Sequence, residues 1–410
     1  MNDQQELFGH TPRVPVTAFA APTDDYIGPG VALTATVNEL ISSHAPVGMG
    51  ISGGKDSTAM AASLKNYLDA RGHTGPRMLI HADSGRAEWV QSLGICEELA
   101  RKLAMPLLVV KRERGDMVDR WYQRWHDNVA RYAELRLVKL LLPWSTAGMR
   151  FCTSELKTSI IARELVRLFP GRQILSTTGI RRQESLNRKN KPVASVNNAL
   201  TNKTMATTGY NWNPIIEWSE EDVWARHHRD HLPIHEAYTQ YAMSRVSCAF
   251  CVLSSLPDLT SAATCRANHA LFTELVDLEI LSTFSFQDDH WLADICPSLL
   301  TDRQQAGLSD AKRKAVARQR AEREIPAHLL YQKGWPLVMP TYSEATLLSQ
   351  VRREVARLTG ITIRYDQPDA ILDRYDQLMA EARLKTKRAG TKTPAYPQPR
   401  PALPVASLFA

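Results

Sequence analysis

Apolar and polar positions follow two rhythms along the first 180 residues. APVGMGI (45–51), RMLIHAD (77–83), PLLVVKR (106–112) and QILSTTGI (173–180) are short apolar runs that predict buried strands. Between them a helical period predicts helices over about 31–43, 58–70, 88–104, 115–142 and 154–168, with Gly72 as a stop after the second. Strands separated by helices predict an α/β fold with a doubly wound parallel sheet. Ligands bind such sheets at the carboxyl ends of the strands. The segments 52–57, 83–86 and 179–184 fall at those ends.

Beyond about 260 the pattern turns mostly helical. A basic stretch spans 309–324, and an amphipathic helix is predicted over 343–358, with Leu347, Leu348, Val351, Val355 and Leu358 on one face and Gly360 after it. A short strand (361–365) and a further helix (368–384) follow. The expected organisation is an extended arm over 1–30, a nucleotide-binding α/β domain over 31–260, a helical region over 261–385, and a basic, Pro-rich tail over 386–410. No internal repeat is seen.

Composition changes this picture little. With 410 residues, 44% hydrophobic and 23% charged, the chain has room for two or three buried cores. No apolar run approaches the roughly 20 residues that cross a bilayer, and MNDQQELFGHTPRV lacks the apolar core of a signal peptide. A soluble, cytoplasmic protein with no membrane partner is expected. The net charge of +7 suits nucleic acid or nucleotides, or solubility alone. Six cysteines in such a chain suggest metal binding or catalysis more than disulfides.

The first strand runs directly into Ser52-Gly53-Gly54-Lys55-Asp56-Ser57-Thr58 and then a helix. Two glycines allow a tight turn that brings backbone N–H groups to an anion, and the helix N-terminus adds positive charge. Lys55 offers a cation to β/γ-phosphates, and Ser52, Ser57 and Thr58 offer hydroxyls. Asp56 would orient the loop or help hold Mg²⁺. The spacing is not that of a Walker A loop, because Met49 and Asp56 stand where that pattern needs Gly and Ser or Thr.

SGGKDS resembles the signature of the PP-loop family of adenine nucleotide alpha hydrolases. The resemblance implies that this loop grips a pyrophosphate and that the α–β bond of ATP is broken. It places Asp83 and Ser84 at the adenosine. Gly179 and Arg181 close another strand, where arginines can hold phosphates. The stretch 213–224, with Trp218, Ser219, Asp222 and Trp224, resembles a marker of the phosphoadenosine phosphosulfate reductase branch, and Leu232-Pro233-Ile234-His235 continues it. Ser219 and Asp222 are expected to cap a helix. The resemblance spans about 45–280.

Cys248-Ala249-Phe250-Cys251 has a chelating spacing, and Arg150-Phe151-Cys152-Thr153 resembles the same branch. With Cys265 they make four thiolates for a [4Fe–4S] cluster; zinc and free buried thiols are the competing readings. Cys265 has the doubtful spacing. Cys96 and Cys296 are expected in the core.

Lys55, and the lack of a cysteine after Cys296, disfavour a sulfonucleotide reductase and favour an ATP-consuming enzyme. The chain most resembles the ATPase components of DNA phosphorothioation systems. That resemblance implies adenylation of a DNA phosphate oxygen with ATP and Mg²⁺, then sulfur delivery from a cysteine desulfurase partner, with other modification-system subunits possible. The catalytic set it implies is Lys55, Asp56 and Ser57. The 181–191 segment and the 309–324 helix are candidates for DNA phosphates, the latter equally a solvated face. Alternatives are a sulfonucleotide reductase, a tRNA thiolation enzyme and a non-catalytic DNA-binding regulator.

Overall fold

The computed structural model describes residues 30–288 and 290–389. The expected arm lies almost wholly outside the described residues, as does most of the expected tail. By internal contacts the described chain forms two compact units: 30–116 with 150–268, and 117–149 with 269–389.

The first unit holds a six-stranded sheet. Its strands are β1 (Val47–Ile51), β2 (Arg77–Asp83), β3 (Leu107–Lys111), β4 (Gln173–Thr178), β5 (Ala194–Val196) and β6 (Thr208–Trp212), in the order β3-β2-β1-β4-β6-β5. All pairs are parallel except β5 with β6. This is the doubly wound α/β fold the sequence predicts. β5 and β6 were not predicted: TGYNW carries neither an apolar run nor clean alternation, and it gains its place by pairing with β4.

The period of two sorts the strand side chains onto two faces. Val47, Met49, Ile51 and Leu79 face a core built with α1 (Ala35–Ser42), α2 (Lys55–Ala70) and α3 (Ser92–Leu103). Met78, Ile80 and Ala82 face the other way, onto α5 (Ser159–Leu168). The order of connection reverses between β1 and β4, so the carboxyl ends of those strands frame a crevice.

Helix α2 begins at Lys55, not near Thr58 as expected, because Gly54 is already the extended residue before the first turn. Lys55, Asp56 and Ser57 therefore lie in the helix. Ser219 and Asp222 do form the cap of α6 (Glu220–Asp230), each side chain accepting from the other's backbone N–H.

The second unit is helical. The stretch read as helix over 115–142 is helical only as α4 (Met117–Ala133). Its tryptophans belong to an aromatic cluster in which Trp121, Trp144 and Phe286 pack edge to face and Trp125 meets Phe284. This is why 117–149 groups with the later helices rather than with the sheet. Helices α7 (His269–Ser282), α8 (Asp302–Arg323), α9 (Tyr342–Thr359) and α10 (Pro368–Ala389) complete the unit. Helix α8 starts earlier than the basic stretch because Thr301 and Gln304 form a capping box. Gly360 ends α9 at φ +73°. Helix α10 continues into the segment expected as tail. The predicted strand 361–365 is not one: Arg364 N–H bonds Ala133 O, and Tyr365 O accepts from Arg352. No described helix is long and apolar enough to cross a membrane.

Candidate functional site

The loop between β1 and α2 is fixed by its own polar groups. Gly53 has φ +75°, and a Cβ there would meet Ser92 O at 3.0 Å, so the turn requires glycine. The Ser57 hydroxyl accepts from Ser52 N at 3.2 Å and donates to Gly54 O at 3.0 Å. Gly179, at the end of β4, lies against this loop so closely that a Cβ would sit 2.6 Å from Asp56 O. The sheet thus brings Ser52, Gly54, Asp56, Ser57 and Gly179 to one cleft of about 310 Å³.

Lys55 takes a different place. It is 3% exposed and does not line the cleft. Its ammonium donates to Ser244 O at 2.9 Å, lies 3.3 Å from Glu220, and faces the rings of Tyr238 and Trp224. Asp56 accepts from Arg181 Nε at 2.5 Å and lies 3.8 Å from Lys55 Nζ. Its carboxylate is engaged with two cations, which fits loop orientation. Arg181 is equally committed, to Asp56 and Gln183. Thr58 is fully buried. Asp83 accepts from Gly85 N at 2.7 Å, and Ser84 is buried; neither lines the cleft.

Four other cations line the cleft: Arg150, Lys157, Arg188 and Arg245. Burial lowers the Arg188 pKa, and the nearby positive charges of Arg245 and Arg150 lower it further. Glu184 pairs with Arg188. Among the described residues the buried Nε of Arg245 has no hydrogen-bond partner, while its Nη2 lies 3.7 Å from Cys251 Sγ. Guanidiniums that repel one another in a cleft provide the field that an anion needs.

The cysteines meet the same cleft through Lys157. Burial alone would lower its pKa, but Cys248, Glu88, Cys251 and Cys152 raise it. Burial pushes the Cys248 thiol up to about 12, with Cys251, Glu88 and Cys152 adding to the rise and Lys157 opposing it. Cys248 pairs through its backbone with Glu88, and Ala249 N donates to Ala87 O at 2.8 Å, which docks the Cys248–Cys251 loop against the end of β2. Glu88 also lies 3.1 Å from His81, whose imidazole is raised to about 10: burial opposes the rise, and Cys96 and Glu88 outweigh it.

Cys265 stands apart. It is buried, and the Tyr241 phenol is pushed up to about 12, first by its hydrogen bond with Cys265. The groups that chiefly act on Lys157 and Cys248 do not include it. Cys96 is buried as expected; Cys296 is only half-buried, so its expected core place is not found. Among the described residues, no three His, Cys, Asp or Glu side chains are grouped so as to hold one metal ion.

The sequence reading assigned no role to Lys157, Arg245, Glu88 or Tyr238. Position relative to the cysteines was the available signal: Lys157 follows Cys152 by five residues and Arg245 precedes Cys248 by three.

Residues 46–253, half of the chain, match the phosphoadenosine phosphosulfate reductase domain. Phosphoadenylyl-sulfate reductase from Candida auris, solved as a phosphate complex, is 12% identical, with a TM-score of 0.32, covering 54% of this chain and 98% of its own. FMN adenylyltransferase from Candida glabrata, solved with FMN and the ATP analogue AMPCPP, is 14% identical, with a TM-score of 0.30, covering 50% of this chain and 55% of its own. No curated protein matches. The strand-end cleft, its phosphate loop and the cysteine pair all lie inside the matched residues, and the chain belongs to the phosphoadenosine phosphosulfate reductase domain family, whose members act on nucleotides.

Proposed function

We propose that this protein is a cytoplasmic ATP pyrophosphatase that adenylates an acceptor oxygen for sulfur incorporation, with a DNA backbone phosphate as the acceptor. One observation carries the reading. Thr153, Lys157 and Ser247 line the cleft of the phosphate loop, and Lys157 interacts electrostatically with the Cys152, Cys248 and Cys251 thiols next to them. A nucleotide phosphate and a sulfur site are thereby within reach of each other.

In this reading the acceptor oxygen attacks the α-phosphorus of ATP, the bond to the β-phosphate breaks, and pyrophosphate leaves. The helix N-terminus behind Gly54 and the Ser52 hydroxyl bind the phosphates, while the Ser57 hydroxyl holds the loop through Gly54 O and Ser52 N. Arg150, Arg188 and Arg245 hold negative charge at the open side of the cleft. Hydrosulfide, released by a thiol reductant from the persulfide of a cysteine desulfurase partner, then displaces AMP. Lys55 and Asp56 act indirectly, by fixing the loop.

The donor set suits an iron–sulfur cluster with three thiolate ligands, Cys152, Cys248 and Cys251. In a cluster each thiolate binds a different iron, so the ligands stand farther apart than around one ion. When bound, the cluster would supply an iron able to hold sulfur. Cys265 is dropped from the ligand set because it is engaged with Tyr241.

The buried Lys55 favours a second reading. A lysine turned away from the cleft removes the sequence argument for a β–γ pyrophosphate, and a sulfonucleotide reductase needs no such lysine. Anaerobically purified protein should be given ATP with DNA, ATP with tRNA, or a sulfonucleotide. Pyrophosphate release and sulfur in digested DNA are expected. Sulfite release without pyrophosphate would replace the proposal with the reductase, and sulfur in tRNA would replace the acceptor. About four irons and four sulfides per chain are expected, lost in Cys152→Ala, Cys248→Ala and Cys251→Ala but kept in Cys265→Ala. Zinc alone would sink the cluster.

A further inference from the structure

The segment 232–246 leaves one hydrogen unassigned at the cleft. Tyr238 is 7% exposed and lines the cleft beside Gly54. Its oxygen accepts from Lys55 N at 3.1 Å and from Val246 N at 3.1 Å. A phenol has one O–H besides its acceptor capacity. Both backbone donors point at the oxygen, so that oxygen is held in place and its own hydrogen must go elsewhere. No acceptor for it is present among the described residues. An oxygen lying 3.5 Å from the point a Gly54 Cβ would occupy is next to the phosphate loop itself.

The side chain normally credited with the phosphate contact in such a loop is occupied. The Lys55 ammonium is spent on Ser244 O and Glu220. The loop therefore lacks its expected donor while an adjacent, fixed donor lacks an acceptor. Burial holds the Tyr238 phenol well above its ordinary pKa, so it keeps its proton at neutral pH.

We propose that the Tyr238 hydroxyl donates its hydrogen to a phosphate oxygen of the bound nucleotide, taking the place at the loop that Lys55 leaves open. This rests on the nucleotide reading above and deepens it. Tyr238 also couples that contact to structure: one oxygen joins the first residue of α2, the 244–246 segment that leads to Cys248, and the phosphate. Nucleotide binding would thus tighten the segment that carries the cysteine pair.

The test is equilibrium binding to the full chain without turnover, using ATP and adenosine as separate probes. Tyr238→Phe should weaken ATP about tenfold or more, the usual effect of losing a hydrogen bond to a charged group, and leave adenosine within about twofold. Because Phe also deprives Lys55 N and Val246 N of their acceptor, a second variant keeps the oxygen. Trifluorotyrosine at 238 is a more acidic phenol that still accepts. ATP affinity should then fall at a lower pH than in the native protein, as the donor is lost, whereas a group that only accepts would show no such shift. Equal losses for ATP and adenosine, an unchanged ATP affinity in Tyr238→Phe, or no pH displacement would each overturn the proposal. If the native chain binds no ATP at all, the nucleotide reading falls first, and that outcome is distinct from the others.

Discussion

Cations in the helical unit and cations at the cleft of the sheet unit are treated in opposite ways. In the helical unit Arg318 is 1% exposed and every arm of its guanidinium is used: Nη1 donates to Glu322, Nε to Thr283 Oγ1 and Nη2 to Thr283 O. Glu322 in turn accepts from Leu140 N. Arg352 likewise donates to Tyr132 O, Ala133 O and Tyr365 O. In the sheet unit the exposed Arg150 and the half-buried Arg188 and Arg245 line one cleft; Arg150 and Arg245 both repel Arg188, which pairs with Glu184, and Arg245 Nε has no partner among the described residues. Fully partnered buried ions belong to the fold, whereas partly solvated cations of one sign in a cleft keep capacity for an anion. The distinction lies in the partner sets, since the residue types are the same.

The sharpest way to break this comparison is Arg318→Met. It leaves Glu322 buried with one partner fewer and should cost about 3–5 kcal/mol of stability by chemical denaturation of the second unit. A loss below about 1 kcal/mol would mean the pair is not structural.

Glu279 gives the next largest effect. It is fully buried and accepts from the N–H groups of Phe286, Leu292 and Ala293, yet burial raises its pKa to about 8 from its ordinary value of 4.5. The folded carboxyl then keeps a proton that the unfolded chain releases above about 4.5. Its contribution to stability is fully present below that pH and falls as pH rises toward 8, by up to about 1.4 kcal/mol per pH unit. Melting temperatures measured across this window should carry a falling component that Glu279→Gln removes.

Arg188→Met sharpens the other side. Removing one of three mutually repelling cations should change stability by less than about 1 kcal/mol, while inorganic phosphate and ATP bind roughly tenfold more weakly. A large stability loss with unchanged anion binding would place Arg188 with Arg318 instead.

Much of the sheet unit can be read from the chain. The apolar runs at 47–51, 77–83, 107–111 and 173–178 mark four strands because a parallel strand buried on both faces must be apolar throughout. The glycines of SGGKDS mark the turn because φ +75° at Gly53 excludes other residues. β5 and β6 escaped because their stability comes from pairing, which leaves no local pattern. The helix 115–142 was placed with the sheet because its period says nothing about which core its tryptophans enter.

The candidate site divides in the same way. Motif and spacing alone located the Ser52–Thr58 loop, the Gly179 turn and the Cys248–Cys251 pair, since each depends on neighbours a few residues away. The directions of the long side chains were decided only in three dimensions. Lys55 turned to Ser244 and Glu220, Arg181 to Asp56, and Cys265 to Tyr241, while Lys157, Arg188, Arg245 and Tyr238 came to the cleft. The sequence by itself determined the backbone that makes the cleft, because backbone conformation answers to local sterics and hydrogen bonding. Tertiary structure decided which side chains line it, because a buried charge or hydroxyl goes to whatever partner the distant chain supplies.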